Sequence, residues 1–221
     1  VPSADAGYQT ALPNIIDDAE LRLYRELDLI DTSVRDSSAA LIAGNRNFTT
    51  PSVSGRFVVV DEINVITPAG TVNPDSGTRN ALAPASEEML NFLWPSVTGS
   101  TVPQYFAMVS QTVAIVAPWP LAAYQVEVVG TIRPEPLSAS NVTTILSVYF
   151  PDLMISASMV FAAGYQKNYG TGAEDPKMAV SWESHLQVLL QSAQTEEARK
   201  KFTGPAWSSK EPAPLATPPR T

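Results

Sequence analysis

Apolar residues recur at spacings of three and four early in the chain, where Ile15, Ile16, Ala19, Leu23, Leu27 and Ile30 fall on one face. This spacing predicts a helix over about 14–30. Asp17, Asp18 and Glu20 lie in its first turns, where negative charge suits the helix dipole, and Arg22, Arg25 and Glu26 fall on the outward side. The pattern then blurs. Across about 31–55 the main apolar positions are Val34, Leu41 and Ile42, and the turn formers Gly44, Asn45, Asn47, Pro51 and Ser52 follow. A short helix or an extended crossing with a loop is expected there. Residues 57–60 are a β-branched run, and Ile63, Val65 and Ile66 form a second strand that ends at Pro68. The Gly-, Asn-, Pro- and Ser-rich stretch 70–84 reads as a loop. Ser86 is expected to cap a short helix over 86–94 that is stopped at Pro95.

Three further β segments are expected at about 104–109, 111–117 and 123–132, giving a β region of about 56–67 and 103–132. Pro118-Trp119-Pro120 separates the last two segments. Tyr124, Val126 and Val128 alternate with Gln125 and Glu127, as in an antiparallel strand with one buried face. Asn141 is expected to cap a turn of helix and Pro151 to take the first position of the next one, within a helical stretch of about 142–169 that has Leu153, Ala157, Val160, Phe161 and Gly164 on one face. A last helix over 175–201 starts at Asp175-Pro176 and buries Met178, Trp182, Leu186, Leu189, Leu190 and Ala193. It ends on Arg199, Lys200 and Lys201, which suit the negative pole of its dipole. Beyond Phe202 come five prolines and an isolated Trp207, too little apolar surface to pack on itself. The expected organisation is a flexible N-terminus over 1–10, one domain over 11–202 and a Pro-rich extended tail over 203–221. The fold class is α+β: a bundle of about four helices with an inserted antiparallel β-sheet region.

Composition narrows the function more than it specifies it. With 221 residues, 44% of them hydrophobic, the chain can build a real core. Charged residues make up only 16%, against a usual level of about 25%. The formal net charge of −8 argues against wrapping nucleic acid, which depends on clustered Lys and Arg. There is no cysteine, which removes disulfides, thiolate metal sites and cysteine catalysis together. No apolar run reaches the roughly 20 residues of a membrane span. Val1-Pro2-Ser3-Ala4-Asp5 lacks the features of a signal peptide, so a soluble protein made in the cytoplasm is expected.

Candidate chemistry is sparse. A single His185, mid-helix, reads as a structural or surface residue and cannot supply a histidine cluster. Asp17/Asp18, Asp61/Glu62 and Glu87/Glu88 are adjacent pairs whose carboxylates point apart, which solvated faces and helix starts explain. Tyr105, Phe106, Trp119 and Tyr124 read as core and turn packing. Asn47-Phe48-Thr49 and Asn141-Val142-Thr143 match the glycosylation triplet without an export signal. No enzyme, cofactor or metal is expected.

The order of blocks says more. The helix Ala19-Glu20-Leu21-Arg22-Leu23-Tyr24-Arg25-Glu26-Leu27 is followed by a strand pair and a polar loop. Then come Pro103-Gln104-Tyr105-Phe106-Ala107, the turn from Ile115 to Pro120, and Tyr124-Gln125-Val126-Glu127-Val128. Pro134-Glu135-Pro136-Leu137-Ser138 and the helical Tyr149-Phe150-Pro151-Asp152-Leu153 complete the series. In this order the chain resembles the adaptor proteins of tailed bacteriophages, the head-to-tail connectors or head-completion proteins, over about residues 12–200. The resemblance implies a structural virion protein of the neck between capsid and tail, assembled in the host cytoplasm. It implies a ring, usually of twelve copies, under the portal protein, which extends the DNA channel and gives tail or nozzle proteins their platform. Genomic DNA would pass through without specific binding, and no membrane is involved. On that reading Asp17, Asp18, Glu20, Glu26, Asp28 and Asp31 are candidates to line the channel or a subunit interface. Phe202, Trp207, Lys210, Leu215 and Arg220 are candidates to dock the tail segment on the portal or a neighbouring subunit. A secreted or surface β-rich binding module without catalytic activity is the alternative.

Overall fold

A computed structural model describes residues 6–169 and 176–201. In chain order the elements are α1 (Ala6–Glu26), β1 (Ser33–Ala40), β2 (Asn47–Thr49), β3 (Arg56–Thr67), β4 (Thr78–Ala81), β5 (Ala83–Pro84) and α2 (Glu87–Leu93). They continue with β6 (Tyr105–Met108), β7 (Val113–Ala117), β8 (Gln125–Arg133), α3 (Ile145–Tyr149), α4 (Pro151–Tyr169) and α5 (Pro176–Lys201). The fold is α+β and is organised around two principal hydrophobic cores, one helical and one β.

The helical core joins Ala19 and Leu23 of α1 and Leu27 just beyond it to Leu146 and Phe150 around α3, Leu153, Met154 and Ala157 of α4, and Leu186, Leu190 and Ala193 of α5. These are the positions that the three-and-four spacing selects, and each fully buried leucine contributes about 2 kcal/mol. The small Ala19, Ala157 and Ala193 lie where the helices meet, and all three are buried. Thr144 caps α3 in a reciprocal pair with Ser147, the bonds measuring 3.3 and 2.8 Å.

The β part lies between α1 and α3 in sequence. One sheet has the order β1-β8-β3-β4 and the other β2-β7-β6-β5. Phe57, Ile63, Val65, Val126, Val128 and Ile132 of the first sheet face Phe48, Phe106, Ala114 and Val116 of the second across the β core. Alternation sends Ala107, Ile115 and Ala117 to the far side of the second sheet, where Leu90 of α2 covers them. The module is therefore a β-sandwich with a helix on its outer face.

Several expectations need correcting. The helix predicted over 14–30 begins at Ala6 and runs through Pro13, so the part of 1–10 that is described is helical. The helix predicted over 86–94 belongs to the second sheet and not to the helical core. The β region is two sheets, not one, and 57–66 is a single strand with two irregularities instead of a strand pair. Of the two expectations for 31–55, a short helix or an extended crossing with a loop, the extended one is found, with Ser33–Ala40 paired to β8, and 70–84 contains β4 and β5. Pro151 is the first residue of α4, as expected, and the helical turn before it is α3, which begins only at Ile145. Asn141 does not cap them; its Nδ2 donates to the carbonyls of Glu135 and Pro136 at 2.8 and 3.1 Å.

Candidate assembly interface

Two chain crossings connect the helices to the sandwich, and a buried glutamate holds each. At the first, the Ile30 N–H donates to Glu197 Oε2 at 2.9 Å, while Lys200 Nζ donates to Glu197 Oε1 at 2.6 Å. At the second, the Leu137 N–H donates to Glu20 Oε2 at 2.8 Å. Glu20 and Glu197 are 2% and 3% exposed, so each carboxylate sits between helix and linker, away from solvent. Charge-assisted bonds to backbone N–H groups are about twice as strong as neutral ones. The two parts are thereby tied at both crossings. Burial pushes the Tyr24 phenol up, with the Glu20 charge adding to it, so this tyrosine stays neutral beside the second tie.

Arg22 crosses from α1 to α5 as a fork, its Nη1 and Nη2 donating to Glu183 Oε2 and Oε1 at 2.7 and 2.5 Å. It is not simply an outward residue. The Arg22 guanidinium holds the Glu183 carboxyl down at about 2, against an ordinary 4.5. A carboxyl lowered by folding stabilises the native state above its unfolded value, and that contribution is lost as pH falls towards the folded value. The Glu183 side chain is 38% exposed. Solvent screening therefore limits the pair to under about 1 kcal/mol. Glu183→Gln should be slightly less stable than the parent at neutral pH, by denaturant midpoint. The two should converge as pH is lowered from about 4.5 to 2; a gap that persists unchanged at the acid end would contradict the assignment.

The outer face of the first sheet carries a polar row with one residue from each strand. Glu127 of β8 lies directly opposite Asn64 of β3. Arg35 of β1 donates to Glu127 Oε1 at 2.8 Å, and Arg79 Nε of β4 donates to the same oxygen at 3.0 Å. Arg79 also donates to Asp75 at 2.6 Å. Glu127 is 1% exposed although it faces outward, because the two arginines close over it. The carboxylate in turn raises the Arg79 guanidinium above its ordinary range.

The second sheet and its loops have the opposite character. Residues 89–126 contain no charged residue, and 37–55 contain only Arg46. The next longest charge-free run, 136–151, has 16 residues. Three loops of the sandwich are tied together: Gly44 N–H donates to the Pro120 carbonyl at 2.8 Å, and Leu121 N–H to the Thr101 carbonyl at 3.1 Å. Arg46 stacks over Trp119 at 5.2 Å and donates to Asn91 of α2. Trp119 Nε1 donates to the Trp94 carbonyl at 3.1 Å. These ties hold Ile42, Val97 and Leu121 exposed beside the outer face of α2, where Phe92 is 84% exposed. The charge gap is a plain sequence signal for this face, but the helical and strand periodicities do not register it.

The acidic candidates do not form one group. Asp17, Asp18 and Asp31 are exposed and make no ion pair among the described residues. Glu26 pairs with Arg22 at 2.8 Å, and Asp28 pairs with Lys201. Glu20 differs from the others in being buried, with its Oε2 accepting from the Leu137 N–H. Phe202, Trp207, Lys210, Leu215 and Arg220 lie outside the described residues. Of the aromatic set, Phe106 and Tyr124 pack in the β core, Tyr105 packs against Trp94 at 5.6 Å, and Trp119 braces the loops. His185 is exposed and touches Trp182 edge-on.

Among the described residues no group of three or more His, Cys, Asp or Glu is placed to hold a metal ion, and no helix is long and apolar enough to cross a membrane. The arrangement offers surfaces and rigid ties. No curated protein matches the chain. A family comparison matches SU10 adaptor protein over residues 3–208, nearly the whole sequence. The chain therefore belongs to the SU10 adaptor protein family, which consists of phage head-to-tail adaptors.

Proposed function

We propose that the protein acts as a ring of copies beneath the portal, where it continues the DNA channel and gives the tail its attachment platform. The observation that carries this reading is the family match over residues 3–208, which takes in both cores and the crossings between them. The ties at Glu20 and Glu197 support it mechanically, because a part that transmits load between head and tail needs its two halves fixed together. The exposed Asp17, Asp18 and Asp31 suit a channel wall, since carboxylates repel DNA phosphates and let the genome slide. Residues 203–221, with Trp207 as a large anchor, suit docking on the portal or a neighbouring copy.

Mixing the purified chain with portal particles, and counting bound copies by mass, tests the reading. The full chain should add in a fixed ring stoichiometry. Removing 203–221 should weaken that addition by about tenfold or more, as loss of a tryptophan hot spot does. Unchanged affinity after the deletion would remove the docking role of this segment. A full chain that never binds portal would remove the adaptor reading itself.

A further inference from the structure

The second sheet, its loops and the outer side of α2 are nearly free of charge. The runs 37–55 and 89–126, which supply most of the second sheet, its loops and most of α2, hold a single charged residue among 57 positions in a chain that has 36. That residue, Arg46, is used internally on Trp119 and Asn91. At the surface of this region Phe92 is 84% exposed, Ile42 and Leu121 are each 65% exposed, and Val97 is 50% exposed. Contiguous exposed apolar residues of this kind mark interaction surfaces. The backbone bonds among the three loops hold them in place, so little ordering cost remains for a partner to meet.

We propose that this face, α2 with the loops 42–45, 94–101 and 119–121, is a contact surface between one copy of the chain and the next. Charge selects the occupant. Each copy carries a formal −8, so two copies repel wherever carboxylates face each other. This face brings no carboxylate of its own to a contact apart from Glu87 and Glu88 at its edge, in the first turn of α2. A standard interface takes about 20–30 residues a side, and the region is large enough to supply them. The proposal rests on the ring reading and says which surface closes the ring.

Phe92→Glu places a charge at the centre of the face, and Leu121→Lys does so with the opposite sign. Both side chains are largely in solvent, so circular dichroism and melting should be unchanged. On portal particles the wild type should fill the ring cooperatively, while both variants should stop at scattered single copies with at least a tenfold weaker midpoint. Variants that fill the ring as the wild type does would overturn the proposal, whether or not tail components still add. Should the wild type fail to bind portal, the ring reading falls separately. Sedimentation of the concentrated free chain then decides: association lost in Phe92→Glu supports the face as a copy-to-copy contact, and a wild type that stays monomeric overturns it.

Discussion

Replacing Glu127 with alanine should cost about 3 kcal/mol and lower the melting temperature by roughly 6–12 °C. The carboxylate is 1% exposed and lies between Arg35 and Arg79, on strands that are not neighbours in the sheet. Removing it leaves two guanidinium groups facing each other over Asn64 with only Asp75 as a counter-charge. Loss of one partner from a buried pair costs about 3–5 kcal/mol, and the low end applies because water reaches both arginines. Glu127→Gln keeps the volume and one acceptor, so it should fall between the parent and the alanine variant. Arg35→Ala should cost under about 1 kcal/mol, since that side chain is half exposed and Arg79 still holds the carboxylate. Thermal denaturation followed by circular dichroism reads all three. An alanine variant that melts with the parent would mean that the row is solvated and contributes no stability.

Gly130→Ala should be at least as damaging, for a steric reason. A Cβ at this position would lie 2.1 Å from the Val59 carbonyl oxygen and 3.1 Å from Val60 Cα, both of them backbone atoms of the neighbouring strand. Side chains can rotate away from such a contact, but β3 cannot. It pairs with β8 on one side and β4 on the other, and its register with β8 is already irregular around Val59 and Val60. Overpacking of this kind costs about 1–3 kcal/mol when side chains yield and more when backbone must move, so about 3 kcal/mol or more is expected. Gly164→Ala is the matched comparison. Its added Cβ would meet nothing within 4 Å, and it lies in α4, where alanine is favoured over glycine by up to about 1 kcal/mol. Melting curves should move in opposite directions for the two variants. A Gly130→Ala protein of parental stability would show that the two strands do not approach this closely.

The helical core was largely legible because its signal is local. Leu23, Leu27, Leu153, Leu186 and Leu190 stand at helical spacing, and the same residues are buried together. The start of α1 was not legible, because Pro13 reads as a boundary when it is met without its neighbours. Strand β1 was left open between helix and extended chain for a different reason. Ser33–Ala40 has little intrinsic preference for extended structure, and its pairing with β8 supplies what its side chains do not. The division of the β region into two sheets is set by pairings between distant segments, such as Phe48 with Ala114, and no short window contains them. The acidic residues show the same limit. Glu20 looks like Asp17 and Asp18 in sequence, yet the linker that donates to it comes from Leu137, far along the chain. The helix face that turns it inward also carries Ala19 and Leu23, so its burial could have been inferred, though not its partner.

A localised reconstruction of the virion neck by electron cryomicroscopy tests the central claim most directly. The expected result is a ring of copies between portal and tail, in which the helical core and the sandwich fit as one unit and the faces around Phe92 meet neighbouring copies. A neck of normal architecture with no density for this chain would contradict the account.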